Sequence, residues 1–509
     1  MQINVLEYLA ETLRTRPDAT AIVDGPPKYS FAEVADLARR CAWLIGQRTE
    51  DRNKPVAVYL PKSVWTIVAD LGILYSGNIY ANLDTKTPAT RQKKILDNVE
   101  PLIVITNSSL HNEVIALGIA PSRLLCVDEI ATMASLPAEY APSGYESCID
   151  TDPMCLINTS GSTGVPKSVV MNHRSVIDFI DWVTGRFAFD ENTIIGSLSP
   201  FYFDIYTLEL YVTLARGCTL VIIPESLAAF PVKLVEFLAL HRVTFIFWVP
   251  TIMVNMANLD LLKAADLSNL NMVFFAGEVF PTRHLNHWRR QLPNCQFVNL
   301  YGPIEITVDC TYFVVDREMR DDEPLPIGFP CRNTDVLVLN EENQPCGLNE
   351  AGELCIRGTS LAMGYWNNPE QTARAFVQNP LNLHYPELIY RTGDIVLWNE
   401  RGELMFRGRR DFQIKHLGYR IELAEIELAC SSIASIRNVC VLYDAEKKEI
   451  ALFYEAPTEV TPAAIRGKLM MVLPKYMIPT AFHRLEEMPR NPNGKIDRLA
   501  LSQRASGVP

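Results

Sequence analysis

The residues whose types and spacing specify chemistry most clearly form one short run. Thr159, Ser160, Gly161, Ser162, Thr163 and Gly164, followed by Lys167, bring hydroxyls, glycines and an ammonium group together directly after the apolar segment 154–158. Backbone N–H groups and hydroxyls of such a turn suit a phosphate, because glycine permits close approach and lysine adds positive charge. The run holds no histidine or acid that could move a proton. The spacing G-x-x-x-x-G-K-[ST] is absent, which disfavours a P-loop NTPase. In isolation the same string is equally a plain Ser/Gly-rich turn.

The elements that must position this run are short strands separated by helical stretches. Segments 55–60 (PVAVYL), 102–106 (LIVIT), 154–158 (MCLIN), 219–223 (TLVII), 244–248 (TFIFW) and 271–275 (NMVFF) are apolar or β-branched. Their alternation with longer helix-like stretches predicts an α/β body with partly parallel sheets. After about residue 325 the texture changes to strands and turns (TDVLVLN, GELCIRG, DIVLW, ELMFRG), with a hairpin turn expected at Asn399-Glu400-Arg401-Gly402. The last hundred residues mix strands (VCVLY, IALFY) with helices (ELAEIELACSS, PAAIRGKLMMVLP) and predict a small α+β domain. The expected division is a large N-terminal domain, residues 1–410, of α/β subdomains plus a β-rich subdomain, and a C-terminal domain, residues 411–509.

Length and composition narrow the function classes. A chain of 509 residues exceeds what one hydrophobic core usually organises. A hydrophobic fraction of 48% with 21% charged residues is that of a globular protein, and no window approaches a membrane span. The first twenty residues lack the pattern of a secretory signal, so a cytoplasmic location is expected. The 12 cysteines are scattered without metal spacing and read as reduced thiols, not a zinc site. A formal net charge of −12 argues against a nucleic-acid surface, although the cluster from Arg407 to Arg410 could meet a local anion.

The Ser/Gly/Lys run resembles the signature loop of the adenylate-forming superfamily, and further motifs follow in that family's order across nearly the whole chain. They are Asn299-Leu-Tyr-Gly-Pro-Ile-Glu-Ile-Thr307, Gly352-Glu-Leu-Cys-Ile-Arg-Gly358, Gly364-Tyr365, Tyr390-Arg-Thr-Gly-Asp394, Gly408-Arg-Arg-Asp411, the segment 412–423 (FQIKHLGYRIEL) and Asn493-Gly-Lys-Ile-Asp497. FQIK-x-x-GYR-x-EL and PNGKID resemble the amino-acid branch, which comprises the D-alanine:carrier-protein ligases and the adenylation domains of nonribosomal peptide synthetases.

The resemblance implies a set of roles. Tyr301 would stack on adenine, Asp394 would receive the ribose hydroxyls, and Glu305 would coordinate Mg2+; an aromatic face, a double acceptor and a hard carboxylate suit these partners. Residues 159–164 and Lys167 would hold the phosphates of ATP. Lys495, on a mobile C-terminal domain, would reach the substrate carboxylate and the α-phosphate, with Arg409 helping to hold the nucleotide. Asp411 would be the hinge and Gly418 would face the arm of the acceptor. Ile304 stands where the family has threonine and Ser168 where glycine is usual, both beside the nucleotide site.

For the acid substrate, the resemblance places Asp204 against the α-ammonium group as a charge-assisted partner. Ile205, Leu208, Phe247, Phe274, Ala276, Leu300, Val308 and Asp309 would form the side-chain pocket, although Phe247 and Phe274 equally suit plain core packing. As a set they resemble proline-activating enzymes, while the overall frame resembles D-alanine ligases. Asp309 agrees with neither and is similar to the acid of serine pockets. If ionised and facing the pocket it favours a substrate with a hydroxyl or second amine; if turned to solvent, proline or a small aliphatic residue. One methylene separates substrates by only about 1 to 3 kcal/mol, whereas a required polar partner discriminates by about 10⁴, so Asp309 is decisive.

The expected activity is ATP-dependent formation of an aminoacyl-adenylate and transfer of the aminoacyl group to the phosphopantetheine arm of a separate carrier protein. The chain ends soon after PNGKIDR, so that carrier is expected in trans, with no nucleic-acid or membrane partner. The rivals are an acyl- or aryl-CoA synthetase, disfavoured by Asp204 and the GYR-x-EL segment, and a catalytically silent sensor of nucleotide or amino acid.

Overall fold

The computed structural model describes residues 2–137, 140, 144–161, 166–410, 412–445, 447–456, 460–490 and 496–505. These fall into two compact units. The larger comprises Met1–Thr85, Val99–Asn158 and Ser168–Arg410; the smaller comprises Lys86–Asn98, Thr159–Lys167 and Asp411–Pro509.

Two sheets with parallel centres dominate the larger unit. One has nine strands, with Gln296–Tyr301, Met272–Phe275, Phe245–Trp248, Ile194–Ser197, Thr219–Ile222 and Thr20–Val23 as its continuous parallel centre and antiparallel strands at both edges. The other, six-stranded, runs Leu124–Cys126, Ile103–Thr106, Pro55–Val58, Ile79–Asn82, Pro153–Thr159, Lys167–Asn172. The apolar segments noted above all lie on these strands because runs buried on both faces lose the polar alternation of a half-exposed strand. The α/β class is as expected from the sequence.

Helices Phe31–Gly46, Val64–Tyr75 and Ile205–Arg216 share one apolar core with strands of both sheets. Val64–Tyr75 has eleven of its twelve residues buried, as a helix covered on all sides must. Gly72 permits its close approach to Phe31–Gly46, since a Cβ there would lie 2.5 Å from Cys41 Cβ.

The β-rich subdomain follows: Thr334–Leu339, Gly352–Gly358, Leu388–Trp398 and Phe376–Gln378 in order, with Leu404–Arg409 also pairing with Leu388–Trp398. The turn between Leu388–Trp398 and Leu404–Arg409 is the expected hairpin. The Asn399 carbonyl accepts from Gly402 N–H at 2.9 Å, and Gly402 adopts φ 67°, which glycine takes without a Cβ penalty.

In the smaller unit, strands Asn438–Asp444, Glu449–Glu455 and Ala481–Leu485 form a sheet packed on helices Leu423–Ser431 and Pro462–Leu469. The unit also takes in two segments that lie within residues 1–410, the expected N-terminal domain. Lys86–Asn98 is tied to it by the buried pair Arg91–Glu425 and by Thr90 donating to the Met471 carbonyl at 2.8 Å. Thr159–Lys167 is tied by Ser160 donating to the Arg420 carbonyl at 2.6 Å.

His173 opens helix His173–Arg186 with its ring buried, and its Nδ1 accepts from Val5 N–H at 3.4 Å. Burial lowers its pKa from 6.5 to about 4, so the folded state keeps it neutral where the unfolded chain protonates it. Its contribution is fully present above pH 6.5 and is lost as pH falls toward 4, by on the order of 3 kcal/mol. Denaturant midpoints between pH 7 and pH 4 should therefore fall less steeply in His173→Gln than in the wild type; parallel slopes would refute this.

Candidate active site

Within the larger unit, residues from three motifs meet. Tyr301 closes strand Gln296–Tyr301, Asp394 lies on Leu388–Trp398, and Arg409 ends Leu404–Arg409, where it is the register partner of Asp394. Tyr301 donates its hydroxyl to Asp394 Oδ2, while Arg409 Nη1 lies 2.5 Å from Asp394 Oδ1 and its Nη2 donates to the Thr392 carbonyl at 3.1 Å. One carboxylate therefore orients a phenol and a guanidinium. Burial, and then the neighbouring Asp394 charge, raise the Tyr301 phenol well above the ordinary tyrosine range, so it stays a neutral donor.

Glu305 lies in the single turn Ile304–Ile306 that follows this strand and is fully buried. Tyr365 donates to its Oε1 at 2.7 Å, and Ala362 N–H donates to its carbonyl at 2.9 Å. The connecting Gly302 has no room for a side chain, since a Cβ would lie 2.5 Å from Asp309 Cα. Ile304 is 7% exposed and packs in the main apolar core, so its side chain fills space where a hydroxyl would need a partner. The resemblance gives Tyr365 no role, yet it orients Glu305; the signal for this in the sequence is a tyrosine beside a glycine within an ordered run of motifs.

Ser168, unexplained by sequence, has a structural reason. It is fully buried and donates to Asn158 Oδ1 at 2.7 Å, joining the two strands that bracket the Ser/Gly/Lys run. Its carbonyl accepts from Trp366 N–H at 2.8 Å, which ties the same point to the Gly364-Tyr365 motif.

Asp204 precedes helix Ile205–Arg216 and is half-buried. Its backbone is in the αR region and its side chain makes no capping bond to its own helix, unlike an aspartate held extended at an N-cap. Ile205, Leu208, Phe247, Phe274, Ala276, Leu300 and Val308 all belong to one buried apolar core. Phe247 and Phe274 are register partners with rings 6.0 Å apart, and Phe274 also packs on Phe187 and Phe245 at 4.8 and 5.0 Å. These are the contacts of core residues. Asp309 is 3% exposed, so the solvent-facing alternative does not hold.

In the smaller unit, Ser160 is buried, Thr159 Oγ1 is buried without a hydrogen-bond partner among the described residues, and Lys167 Nζ lies 3.7 Å from Glu422 Oε1. Gly161 is buried beside them. Ser162, Thr163, Gly164, Asp411 and Lys495 lie outside the described residues. Among the described residues no three His, Cys, Asp or Glu side chains cluster as a metal site, and no helix is long and apolar enough to cross a membrane.

Two parallel-centred sheets, an appended β-rich subdomain and a small α+β unit define the class of an adenylate-forming protein. A family model described as AMP-binding enzyme matches residues 9–366, and the chain belongs to that family within the adenylate-forming superfamily. It is 30% identical to tyrocidine synthase 1 of Brevibacillus parabrevis over 98% of its own length, but spans only 45% of that protein. It is likewise 30% identical to zwittermicin A synthase ZmaJ of Bacillus cereus, over 99% of this chain and 95% of that one. Among solved structures, holo-PA1221, described as an NRPS protein containing adenylation and PCP domains, superposes with a TM-score of 0.84 at 25% identity, covering 99% of this chain and 84% of that one. Family and homologues are those of AMP-forming ligases with a nonribosomal-peptide-type adenylation domain, which use ATP.

Ser168→Ala should leave Asn158 Oδ1 without its donor and cost about 1–3 kcal/mol. The urea midpoint should fall at unchanged m-value; an unshifted midpoint would show that the bond contributes nothing.

Proposed function

We propose that the protein activates an amino or imino acid with ATP and passes the aminoacyl group, as a thioester, to the phosphopantetheine thiol of a carrier protein met in trans. The observation that carries this reading is Asp204: a half-buried carboxylate, not used to cap its helix, on the residue next to an apolar core. Such a group suits an α-ammonium ion and meets no need in an enzyme for fatty or aryl acids. That ranks the reading above an acyl- or aryl-CoA synthetase.

In the first half-reaction an oxygen of the substrate carboxylate attacks the α-phosphorus, a new P–O bond forms, and the bond to the β-phosphate breaks to release pyrophosphate. In the second, the carrier thiolate attacks the acyl carbon and AMP departs. Tyr301 and Asp394, already joined by a hydrogen bond, would take adenine and ribose, with Arg409 fixing Asp394. The Ser/Gly/Lys run would take the departing phosphates, and the Thr159 hydroxyl, without a partner among the described residues, is a donor that a phosphate oxygen would satisfy. Glu305, an oxygen ligand oriented by Tyr365, fits Mg2+, which binds one or two carboxylates together with phosphate oxygens and water. That ion, when bound, would offset the charge of the leaving pyrophosphate. By resemblance, Lys495 stabilises charge at the α-phosphate and residues 411–509 turn about Asp411 between the two half-reactions.

The substrate side chain is small. The apolar set resembles a proline pocket; the buried Asp309, if ionised and facing that pocket, would favour instead an amino acid with a hydroxyl or second amine, serine or a diamino acid, over proline and D-alanine.

Amino-acid-dependent ATP–pyrophosphate exchange across the twenty amino acids, D-alanine and small diamino acids tests this. Exchange should peak with a small hydroxyl- or amine-bearing acid; a preference for proline would return Asp309 to a packing role, and a preference for a bulky aromatic or fatty acid would overturn the small pocket. Lys495→Ala should lower exchange by about 10² or more while the folded variant still transfers a preformed aminoacyl-adenylate to a separately supplied holo-carrier. Wild-type exchange in that variant would refute the role of Lys495.

A further inference from the structure

Helix Val64–Tyr75 is apolar throughout except for Thr66 and Asp70, and Asp70 is completely buried in it. An acid in such a place is costly unless its bonds matter. Its Oδ2 accepts two of them: from Asn82 Nδ2 at 3.0 Å and from the Tyr206 hydroxyl at 2.8 Å. Asn82, 6% exposed at the end of strand Ile79–Asn82, uses the same nitrogen to donate to the Phe201 carbonyl at 3.1 Å. The Phe201 and Tyr206 rings stack at 4.1 Å and 23°.

These contacts converge on the irregular connection that carries Asp204. Phe201 lies three residues before it and Tyr206 two residues after, so one carboxyl oxygen holds Tyr206 directly and Phe201 through Asn82. The upstream end is held as well: Lys62 Nζ donates to the Ser197 carbonyl at 2.7 Å and sits 5.1 Å from the Phe201 ring centroid, while Ser197 Oγ donates to Glu209 Oε2 at 2.6 Å. Burial raises both Asp70 and Glu209 to about 8 and lowers Lys62 to about 8.

We propose that Asp70, with Asn82 and Tyr206, is a positioning residue that sets the carboxylate of Asp204 for recognition of the substrate's α-ammonium group. The inference rests on the assignment of Asp204 to that group. It also specifies what the position requires. Both accepted bonds fall on Oδ2, whereas Oδ1 has no hydrogen-bond partner among the described residues. A neutral asparagine can offer the same single acceptor oxygen; leucine cannot.

The test is pyrophosphate exchange on the full chain at pH 7, with KM measured separately for amino acid and ATP. Asp70→Leu should raise the amino-acid KM about tenfold and leave the ATP KM within about twofold, since a misplaced carboxylate weakens one substrate only. Asp70→Asn should restore the wild-type amino-acid KM. Should Asp70→Leu fail to fold, Tyr206→Phe, which keeps the stacked ring and loses one bond, should show the same split at roughly threefold. Equal changes in both KM values, or an unchanged amino-acid KM in a folded Asp70→Leu or Tyr206→Phe protein, would overturn the positioning role. Asp204→Asn separates the two assignments. A raised amino-acid KM there, with no effect of Asp70→Leu, refutes only the clamp; an unchanged KM in Asp204→Asn removes the ammonium assignment and the clamp with it.

Discussion

A carboxylate that is to receive an ammonium ion must be dry enough for the attraction to be strong, yet not so enclosed that it takes up a proton. Asp204, the group proposed for that role, stands between solvent and core. It stands where an irregular connection becomes helix Ile205–Arg216, half-buried, in a backbone conformation that keeps it from capping that helix. The residues after it enter the apolar core at once, with Ile205 at 7% and Leu208 at 0% exposure. A substrate bound there would find charge at one end and hydrocarbon at the other. Fixing that boundary requires polar bonds deep in the core, which is why Asp70, Asn82, Lys62, Ser197 and Glu209 gather around the same segment.

The residues proposed for the nucleoside obey a related rule. Asp394 would be costly to bury alone, but it is shared between a phenol and a guanidinium, and the guanidinium also holds a backbone carbonyl. Glu305 is treated likewise by Tyr365. Each acidic group is thus held in one orientation by a donor from a different motif. This gives a physical reason for widely spaced sequence motifs to act together: each supplies either an acceptor or the donor that orients it.

The strands of the two large sheets were legible because β-branched runs buried on both faces leave an unmistakable texture, and the hairpin at 399–402 because Asn and Gly mark such turns. The phosphate role proposed for the loop rests on the ordered motifs around it; its hydroxyls alone fit a plain turn. Other features were not legible, for identifiable reasons. Lys86–Asn98 joins the smaller unit through Arg91 and Glu425, a pair 334 residues apart that no local pattern connects. Ser168 looked anomalous until strand pairing placed Asn158 beside it. Asp70 did leave a signal, a lone acid in VWTIVADLGILY, but its partners come from a strand end and from a helix 136 residues away.

The proposed site must recognise an amine next to the reacting carboxylate. This requirement is tested most directly by the binding, measured calorimetrically, of a non-hydrolysable aminoacyl-sulfamoyl adenosine and of its des-amino analogue, both built on the amino acid that gives the strongest exchange. The amine-bearing compound should bind about ten- to a hundredfold more tightly, as expected for one charge-assisted hydrogen bond. Equal affinities would contradict the assignment of Asp204 and, with it, the reading of the protein as an amino-acid-activating enzyme.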